Sequence, residues 1–501
     1  MEESRMVKAT LHAFTEQAAA PASQGDLPLK RREPARWRQR LITLSLVSSD
    51  VFLALLIWYA ASMLQGAFGR SELSAVSIAS ATANVGVWVG LRALLGLYPG
   101  YGLNYVEELR RQTYAVAATL VITSIFALAF QVGDLLSRLL LVFGFLGLLI
   151  LAPPLRYLVK RGTAHLGLWG KPVVILGAGE TGERLVRTLK REWSLGFRPI
   201  AVFDNRLAPA DGAIEGVPYG GTVADALGLA REQAADTAIF AIPHARRSRL
   251  AKFVELASRS FRNVIVIPNL AGVATSAVVA REFAGTLGIE MRPNLLNTKI
   301  RRIKRALDLC GAVVGGLLIS PLLLLIIALI KLDSPGPAFY RQLRPGFAGQ
   351  YFWMWKFRTM HIDGERLLTE LFQSDPDLQA EWQENRKLSK DPRVTRIGRF
   401  LRVTSLDELP QLWNVLRGEM SLVGPRPILV EEISKYGEVY QLYKRMRPGI
   451  TGLWQVSGRN DTCYEERLEM VAYYVRSWSI WLDLVILART PGNLVLRRGA
   501  Y

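Results

Sequence analysis

The segment RRIKRALDLCGAVVGGLLISPLLLLIIALIKLDSPGP, residues 301–337, decides how the chain meets a membrane. Residues 309–330 carry no charge and form a run long enough to cross a bilayer, which takes about 20 apolar residues. Ser320 and Pro321 interrupt the run, because proline removes a backbone hydrogen bond and disfavours helical geometry in the preceding residue. Basic residues flank both ends. We therefore predict a re-entrant helix over residues 306–332, which enters the membrane and returns to the same side.

Four apolar stretches precede this segment, each close to the length that crosses a bilayer: residues 41–64, 73–98, 113–131 and 139–159. Four in succession favour a four-helix transmembrane bundle over residues 41–160 rather than buried helices of a soluble core. Asp50 lies within the first stretch, where a charge is costly in lipid. We expect Asp50 to face another helix or water. Residues 1–40 are predicted to be a mobile basic tail.

The basic residues beside these stretches indicate their orientation. Clusters of Lys and Arg lie before the first stretch, between the second and third, and after the fourth. The two other joins hold one arginine each, Arg70 and Arg138. Because positive charge is enriched in cytoplasmic loops, both ends of the bundle are predicted to face the cytoplasm.

The composition limits the class of partner. The chain of 501 residues has a formal net charge of +19 and is 50% hydrophobic. Such a basic chain favours anionic partners: nucleic acid, an anionic membrane surface or phosphorylated substrates. No helix-turn-helix, zinc-finger or RNP pattern supports nucleic acid, and we expect none as a partner. The two cysteines, Cys310 and Cys463, exclude a disulfide framework, and the scattered histidines disfavour a zinc site.

A second fold signal is KPVVILGAGETGERLVRTLK, residues 171–190. An apolar strand runs into a turn with three glycines, Gly177, Gly179 and Gly182. Asp204 follows 22 residues after the last glycine, as in the dinucleotide-binding fingerprint, where the acid reaches a ribose. Further strands alternate with helical segments, which predicts a Rossmann-like α/β domain over residues 171–295. The region shows no catalytic base, so a cofactor site and a structural or regulatory module are both open interpretations.

A pair of adjacent acids marks SLDELPQLWNVLRGEMSLVGPRP, residues 405–427. Ser405 and Glu408 fit a helix capping box, with Asp407 near the positive end of the helix. Pro410 would then lie past the first turn, where it removes a backbone donor. The stretch therefore favours a shaped turn over an ordinary helix start.

Residues 301–501 resemble the bacterial sugar transferases, the monotopic phosphoglycosyl transferases. The matching stretches occur in family order and are KRALDL (304–309), DSPGPAFYRQLRPG (333–346), WKFRTM (355–360), DPRVTRIGRFLRVTSLDELPQLWNVLRGEMSLVGPRP (391–427), YKRMRPGITGLWQVSGR (443–459) and WLDLVILARTP (481–491). Together with four upstream spans and a nucleotide-fold domain, they resemble the large polyprenyl-phosphate hexose-1-phosphate transferases. GLYPGYGLNYVEELRR (96–111) is similar to the undecaprenyl-phosphate galactose phosphotransferases.

The resemblance implies a mixed α/β catalytic domain over residues 301–501 and a reaction on a bacterial inner membrane. A UDP-hexose, with galactose favoured and glucose the alternative, would give its sugar-1-phosphate to undecaprenyl phosphate. The products would be the undecaprenyl diphosphate sugar and UMP, at the start of O-antigen, capsule or exopolysaccharide synthesis. The resemblance also implies Mg²⁺, a homodimer, and a catalytic domain on the cytoplasmic face among bilayer lipids.

The family motif implies a role for each candidate residue. Asp407 would be the nucleophile that forms an aspartyl phosphosugar, and with the paired acid Glu408 it would hold Mg²⁺. Direct transfer with Asp407 as a metal ligand is the other route. Arg402 and Arg426 would contact phosphate, and Arg358 would contact phosphate or serve the structure.

Two other functions compete with this interpretation. A membrane-bound NAD-dependent dehydratase or epimerase would use the glycine turn with a Tyr-x-x-x-Lys pair, and Tyr440 and Lys444 have that spacing. The pair lies far beyond the glycine turn along the chain, which favours coincidence. A non-enzymatic scaffold would not depend on Asp407 or Glu408.

Overall fold

A computed structural model gives the fold. It describes residues 35–67, 75–129, 138–205, 212–223, 225–226, 235–242, 254–255, 257–268, 278–283, 286–291, 294–364, 366, 391, 393–457 and 463–495. The chain divides into two compact units, Met1–Ala271 and Gly272–Tyr501. Most of the predicted N-terminal tail lies outside the described residues. The unit boundary precedes residue 295, the end predicted for the Rossmann-like domain.

Four helices begin the first unit: α1 Ala35–Ala67, α2 Ala75–Leu94, α3 Tyr105–Ala129 and α4 Arg138–His165. Each overlaps one predicted apolar stretch, and Trp58, Trp88 and Phe145 are buried in the core between them. Among the described residues, four helices are long and apolar enough to cross a membrane: Trp37–Leu64, Tyr105–Ala129, Leu141–His165 and Thr298–Asp333. Three of these are predicted N-terminal spans. Helix α2 is not in this set, and its side chains are described only from residue 82.

Charged side chains meet inside this bundle. Asp50 is buried, and its Oδ2 lies 3.1 Å from Arg92 Nε. The hydroxyl of Tyr98 donates to the same oxygen at 2.5 Å. Glu108 forms a second buried cluster with Arg156 and Lys160. Asp50 therefore faces a neighbouring helix, as the sequence predicts, since a charge inside an apolar bundle needs a partner.

An α/β domain completes the described part of the first unit. Its elements are β1 Lys171–Leu176, α5 Glu180–Arg191, β2 Phe197–Phe203, β3 Ala213–Ile214, β4 Val217–Pro218, β5 Thr237–Phe240 and β6 Asn263–Val266. The four longer strands pair in parallel in the order β2-β1-β5-β6. Apolar side chains cover both faces of this sheet, which explains why the strands read as continuous apolar runs.

The second unit mixes short sheets with helices. Its elements are β7 Val278–Phe283, β8 Thr286–Met291, α6 Thr298–Asp333, β9 Phe339–Pro345, β10 Tyr351–Phe357, α7 Arg396–Thr404, α8 Gln411–Arg417, β11 Ser421–Val423, α9 Ile433–Tyr436, α10 Val439–Tyr443, β12 Gly449–Thr451, α11 Leu453–Ser457, α12 Tyr464–Arg476 and α13 Ile480–Val495. Strands β7 and β8 pair antiparallel, as do β9 and β10, whereas β11 and β12 are parallel. This architecture agrees with the mixed α/β class that the resemblance implies.

The long helix α6 packs against the same unit near both ends. Towards its start, Ala312 belongs to a buried cluster with Phe352 of β10. Towards its end, Ile330 is buried in a cluster with Phe357 of the same strand. Between these contacts most apolar side chains are exposed, with Leu318 77% accessible, although Ile326 is buried. Helix α6 therefore presents an apolar middle, while its two ends belong to buried clusters of one unit.

The predicted helix break at Ser320 and Pro321 is wrong as a break in secondary structure. Helix α6 continues through both residues. A proline lacks the N–H that would bond to the carbonyl four residues earlier, which here is that of Leu317. The hydroxyl of Ser320 donates to this carbonyl at 2.8 Å. The serine thus supplies the donor that the proline removes, and the helix is not interrupted.

Candidate active site

The diacid lies on a short turn between two helices. Helix α7 begins at a cap in which the side chain of Thr395 accepts from the N–H of Gly398 at 2.9 Å. It ends at Ser405, whose φ of 57° is left-handed. A single 3₁₀ turn, Leu406–Glu408, follows. Ser405 makes no side-chain cap, so the capping box is wrong, and Pro410 immediately precedes α8 rather than interrupting a helix. The shaped turn is confirmed.

One cavity brings the predicted catalytic residues together. It has a volume of about 1020 Å³ and its lining includes Asp407, Glu408, Arg402, Arg426 and Arg358. Close approach of α7 to the end of β10 helps to shape it, because a Cβ on Gly398 would lie 2.1 Å from the carbonyl oxygen of Thr359. Five residues from two of the quoted stretches, 355–360 and 391–427, therefore share one open space.

A lysine joins the two acids. Lys356 Nζ donates to Glu408 Oε1 at 2.8 Å and lies 3.5 Å from Asp407 Oδ2. The side chains of Asp407 and Glu408 are 14% and 25% exposed. Burial raises the pKa of Asp407, and the neighbouring Glu408 carboxylate adds to this increase while Lys356 opposes it. Two acids thus share one lysine at the edge of a cavity that has room for a substrate or metal.

The arginines differ in how the structure uses them. Arg402 Nε donates to Thr359 Oγ1 at 2.9 Å, which holds the side chain beside the cavity. Arg358 is buried and donates to the carbonyl oxygens of Ser334 and Pro335 at 2.8 and 2.7 Å. Those carbonyls follow the end of α6. Arg358 therefore secures the exit of the long helix, which favours the structural alternative for this residue.

Arg426 enters the cavity from the turn after β11. It is exposed, and its guanidinium carbon lies 5.4 Å from the centre of the Trp454 ring. Arg467 contacts the same ring at 5.2 Å. A cation held against an aromatic face keeps its charge while losing freedom of movement. The indole of Trp454 is thus occupied by two arginines and orients Arg426.

The sequence interpretation missed Lys356 and Trp454, although both lie in the quoted family motifs. Lys356 lies near the end of β10, two residues before Arg358, so the period of two in an extended chain pointed to this part of the cavity wall. Trp454 gave no signal of its own, because its contact with Arg426 joins residues that are distant along the chain. Both positions become recognisable only once β10, β11 and α11 are packed.

The carboxylate pair fits a shared magnesium site but not a cage built by protein alone. Within the described ranges, no group of three or more His, Cys, Asp or Glu side chains could hold a metal ion. Mg²⁺ commonly takes one or two carboxylates and completes its shell with waters and substrate phosphates. Asp407 and Glu408 supply that number, and the cavity leaves space for the remaining ligands.

The glycine turn lies at the end of β1. Gly177 has φ 121°, a conformation that L side chains rarely adopt. Gly179 caps α5, and Gly182 packs so closely that a Cβ would lie 2.0 Å from the carbonyl oxygen of Gly177. Asp204 lies beside this turn, and its Oδ2 accepts from the N–H of Ala178 at 2.7 Å. The three glycines and the acid are thus brought together, with the acid already bonded to the turn.

Tyr440 and Lys444 belong to the second unit, whereas the glycine turn belongs to the first. They lie in and just after α10 of the second unit, where the ring of Tyr440 stacks on Tyr443 with centroids 6.0 Å apart. The backbone N–H of Lys444 bonds to the carbonyl of Tyr440 at 3.1 Å. The pair is part of a helix end packed on aromatic rings, and this disfavours the dehydratase interpretation.

Comparisons with known proteins identify the family to which these site residues belong. Residues 299–497 match the family described as bacterial sugar transferase, and residues 93–268 match a domain described as CoA-binding. The chain is 39% identical over 376 residues to a UDP-galactose-lipid carrier transferase of Erwinia amylovora, covering 73% of this chain and 77% of the relative. The chain belongs to the bacterial sugar transferase family.

Other members of the bacterial sugar transferase family align over most of the chain. An undecaprenyl-phosphate galactose phosphotransferase of Salmonella typhimurium is 36% identical over 391 residues, 76% of this chain and 81% of the relative. A UDP-glucose:undecaprenyl-phosphate glucose-1-phosphate transferase of Klebsiella pneumoniae is 32% identical over 345 residues, 67% of this chain and 70% of the relative. The matches extend beyond the catalytic unit into the upstream helices and the α/β domain.

Proposed function

We propose that this bacterial sugar transferase moves hexose-1-phosphate from a UDP-hexose to undecaprenyl phosphate. The products are undecaprenyl diphosphate hexose and UMP, in the first membrane step of surface glycan synthesis. The observation that carries the proposal is the single cavity shared by Asp407, Glu408, Arg402 and Arg426. The printed names of the relatives favour galactose as the sugar, with glucose second.

In the proposed reaction Asp407 is the nucleophile. A carboxylate oxygen attacks the phosphorus that bears the sugar, and the bond from that phosphorus to the UMP oxygen breaks. UMP leaves with the electron pair. A phosphate oxygen of undecaprenyl phosphate then attacks the same phosphorus and releases the carboxylate. Partial burial supports this role, because the raised pKa of Asp407 makes its ionised form more basic than an ordinary aspartate.

The cations of the cavity offset charge in this scheme. Both substrates carry phosphate, so each step brings anions together. Arg402 and Arg426 contact phosphate oxygens, and the Trp454 ring holds Arg426 in place. Lys356 lies between the two acids and lowers the cost of keeping both ionised. Glu408 holds the ammonium of Lys356 away from Asp407, whose oxygen can then approach phosphorus.

Asp407 and Glu408 are also the residues that would hold Mg²⁺. The ion, when bound, would stabilise negative charge on the phosphate oxygens. We expect EDTA to abolish UMP release and added Mg²⁺ to restore it.

The proposed membrane arrangement is re-entrant: both ends of α6 stay on one side of the bilayer, although the helix continues through Pro321. Ala312 and Ile330 of α6 lie 18 residues apart in two buried clusters of the same unit, one with Phe352 of β10 and the other with Phe357 of β10. A helix that crossed the bilayer between these points would place the two clusters on opposite sides, although both belong to one compact unit. The exposed apolar side chains between them are therefore the part that enters lipid. In the proposed arrangement the cavity lies near the phosphate of a membrane-bound acceptor.

The basic residues that flank both the four-helix bundle and α6 support a cytoplasmic position for the catalytic unit in a bacterial inner membrane. Cys310 and Cys463 are free and exposed, so a variant lacking both would precede a scan with single introduced cysteines. Cysteines placed at residues 300 and 350 should both react only from the cytoplasmic side. Labelling of residue 350 from outside would show instead that α6 spans the bilayer.

We also propose that the α/β domain is Rossmann-like. The parallel order β2-β1-β5-β6 and the glycine turn after β1 support this assignment. Because Asp204 bonds to the turn itself, a structural or regulatory role is favoured over a catalytic nucleotide site. The domain is also a candidate surface for the proposed homodimer.

The test of function is UMP release by purified protein with a short polyprenyl phosphate, Mg²⁺ and one UDP-sugar at a time. UDP-galactose should be the best donor. A higher rate of UMP release with UDP-glucose would assign glucose instead. Radiolabel from the sugar-bearing phosphate should remain on the protein when the acceptor is omitted. Release of UMP only with acceptor, without labelled protein, would favour direct transfer. Bound NAD without UMP release would overturn the proposal.

A further inference from the structure

A second lysine with two acids lies beneath the strand that leads to Arg426. Lys304 Nζ lies 2.8 Å from Asp483 Oδ2 and 3.3 Å from Asp308 Oδ1, and it donates to the carbonyl oxygen of Val423 at 3.0 Å. A lysine ammonium has three N–H donors, and here each has an acceptor. The three side chains, called the Lys304 cluster below, join helices α6 and α13 to strand β11.

The carboxylates of the Lys304 cluster are also supplied with other donors. Asp483 accepts from the Tyr474 hydroxyl at 2.7 Å and from Trp478 Nε1 at 3.1 Å. Asp308 accepts from the backbone N–H of Leu422 at 3.1 Å, and the hydroxyl of Ser421 lies within hydrogen-bonding distance of both its oxygens. Asp308 and Asp483 are only 5% and 7% exposed. These acids are enclosed and fully bonded, so they are not free to meet substrate.

Val423 links the Lys304 cluster to the cavity. It is the last residue of β11, and Arg426 follows three residues later. The connecting turn is pressed against β12, because a Cβ on Gly424 would lie 2.4 Å from the carbonyl oxygen of Arg447. The N–H of Gly424 bonds to the carbonyl of Thr451 at 2.9 Å. A shift at the end of β11 must therefore move the turn that carries Arg426.

We propose that Lys304, Asp308 and Asp483 are positioning residues that set the place of Arg426 in the cavity. The inference rests on the proposed function, in which Arg426 contacts a substrate phosphate. Removing one charge leaves the opposite charge buried and unpaired, so the end of β11 must relax. A displacement of about 1 Å in a group that contacts the reacting phosphate can lower the rate by about 100-fold.

A double-mutant cycle tests this coupling. The variants are Asp483→Asn, Arg426→Lys and the double variant, each assayed for UMP release with kcat and KM resolved. We expect Asp483→Asn to lower kcat/KM by about 10- to 100-fold. Once Arg426→Lys has removed the bidentate guanidinium, the same change should lower it by less than about 3-fold. Additive losses would overturn the proposal.

Control variants separate positioning from general damage. Asp236→Asn breaks a Lys171–Asp236 pair of 2.9 Å in the other unit, and its effect should add to that of Arg426→Lys. Tyr474→Phe removes one donor from Asp483, which makes it a gentler variant for the same cycle if Asp483→Asn does not fold. If the Arg426→Lys variant releases UMP at the normal rate, Arg426 does not make the proposed phosphate contact, and this inference is wrong. Additivity alone would leave the proposed reaction intact.

Discussion

Two clusters in the catalytic unit have the same composition and opposite surroundings. Each consists of one lysine and two carboxylates: Lys356 with Asp407 and Glu408, and Lys304 with Asp308 and Asp483. The first lines a cavity of about 1020 Å³, and its nucleophile candidate lies 3.5 Å from the lysine. The second is enclosed, and its acids also accept from a tyrosine, a tryptophan and the backbone of β11.

The difference shows that a buried lysine–acid cluster does not by itself indicate catalysis. What separates the two is the space beside the acids, because only Asp407 and Glu408 line the large cavity. In the enclosed cluster both carboxylates accept hydrogen bonds from several donors, so its charges hold elements together. In the open cluster the oxygens of Asp407 have room for a phosphorus atom or a metal. Substitutions in the open cluster should therefore mainly lower activity, whereas substitutions in the enclosed cluster should mainly lower stability.

The largest expected effect is on activity in the open cluster. Asp407→Asn should lower UMP release by about 10⁴-fold, because the amide cannot serve as the nucleophile. The folded protein should be no less stable, since replacing a desolvated carboxyl removes a charge that burial disfavours. UMP release and thermal unfolding in one detergent would be measured. Near-normal UMP release from a folded variant would contradict the assignment of Asp407.

The next effect is on stability in the enclosed cluster. Lys304→Met leaves Asp308 and Asp483 without their ammonium, and we expect a loss of about 3–5 kcal/mol in the free energy of unfolding. Lys356→Met should change that energy by less than about 1 kcal/mol, because its acids face an open cavity. Denaturant unfolding followed by tryptophan fluorescence would compare the two. Equal losses would show that the clusters do not differ in this way.

The same distinction extends to two arginines of the cavity wall. Arg402→Ala should reduce kcat/KM by about 100-fold with little loss of stability, since the side chain faces the cavity. Arg358→Ala should mainly destabilise the fold, by about 1–3 kcal/mol, because two carbonyls after α6 lose their donor. Kinetics and unfolding of both variants would be compared with those of the parent. A stable but inactive Arg358→Ala protein would show instead that Arg358 contacts a substrate phosphate.

The smallest expected effect is the pH dependence of stability. The folded-state pKa of Asp407 is raised by burial, so the folded protein binds this proton more tightly than the unfolded chain does. The ionised carboxyl lowers the free energy of unfolding at pH values above the folded-state pKa. This loss disappears once the pH falls below the ordinary pKa of an aspartate. The Tm advantage of Asp407→Asn should therefore narrow as pH is lowered. An advantage that grows on acidification would contradict a raised pKa.

The sequence predicted the parts of the fold that depend on local pattern. The apolar helices, strand β1 with its glycine turn, and the turn at Asp407 follow from hydrophobic period and from proline chemistry. The capping box, which the sequence analysis weighed and disfavoured, does not form because Ser405 takes a left-handed conformation that ends α7. The predicted break in α6 failed because the hydroxyl of Ser320 replaces a donor that Pro321 lacks. In both cases one side chain changed the outcome of a general rule.

Contacts between distant segments set the limit of prediction for the site. The family motifs contain Lys304, Lys356, Asp308 and Asp483. The spacing of Lys304 and Asp308 by four residues is a local signal, but nothing local pairs Lys304 with Asp483 or Lys356 with Asp407. Lys304 and Asp483 are 179 positions apart and are joined only when α6, β11 and α13 pack together. A charged residue within the apolar stretch WLDLVIL was the available signal for Asp483, because an isolated acid there needs a buried partner.

Helix α6 has a consequence for any attempt to solubilise the enzyme. An ordinary membrane anchor can be cut away and leave a working catalytic domain behind. Here, deletion of residues 298–333 would also remove Ala312, Ile326 and Ile330 from two buried clusters, together with the Lys304–Asp308 pair. A version that is soluble without detergent would instead require polar residues in place of the exposed leucines in the middle turns, with both ends of the helix left in place.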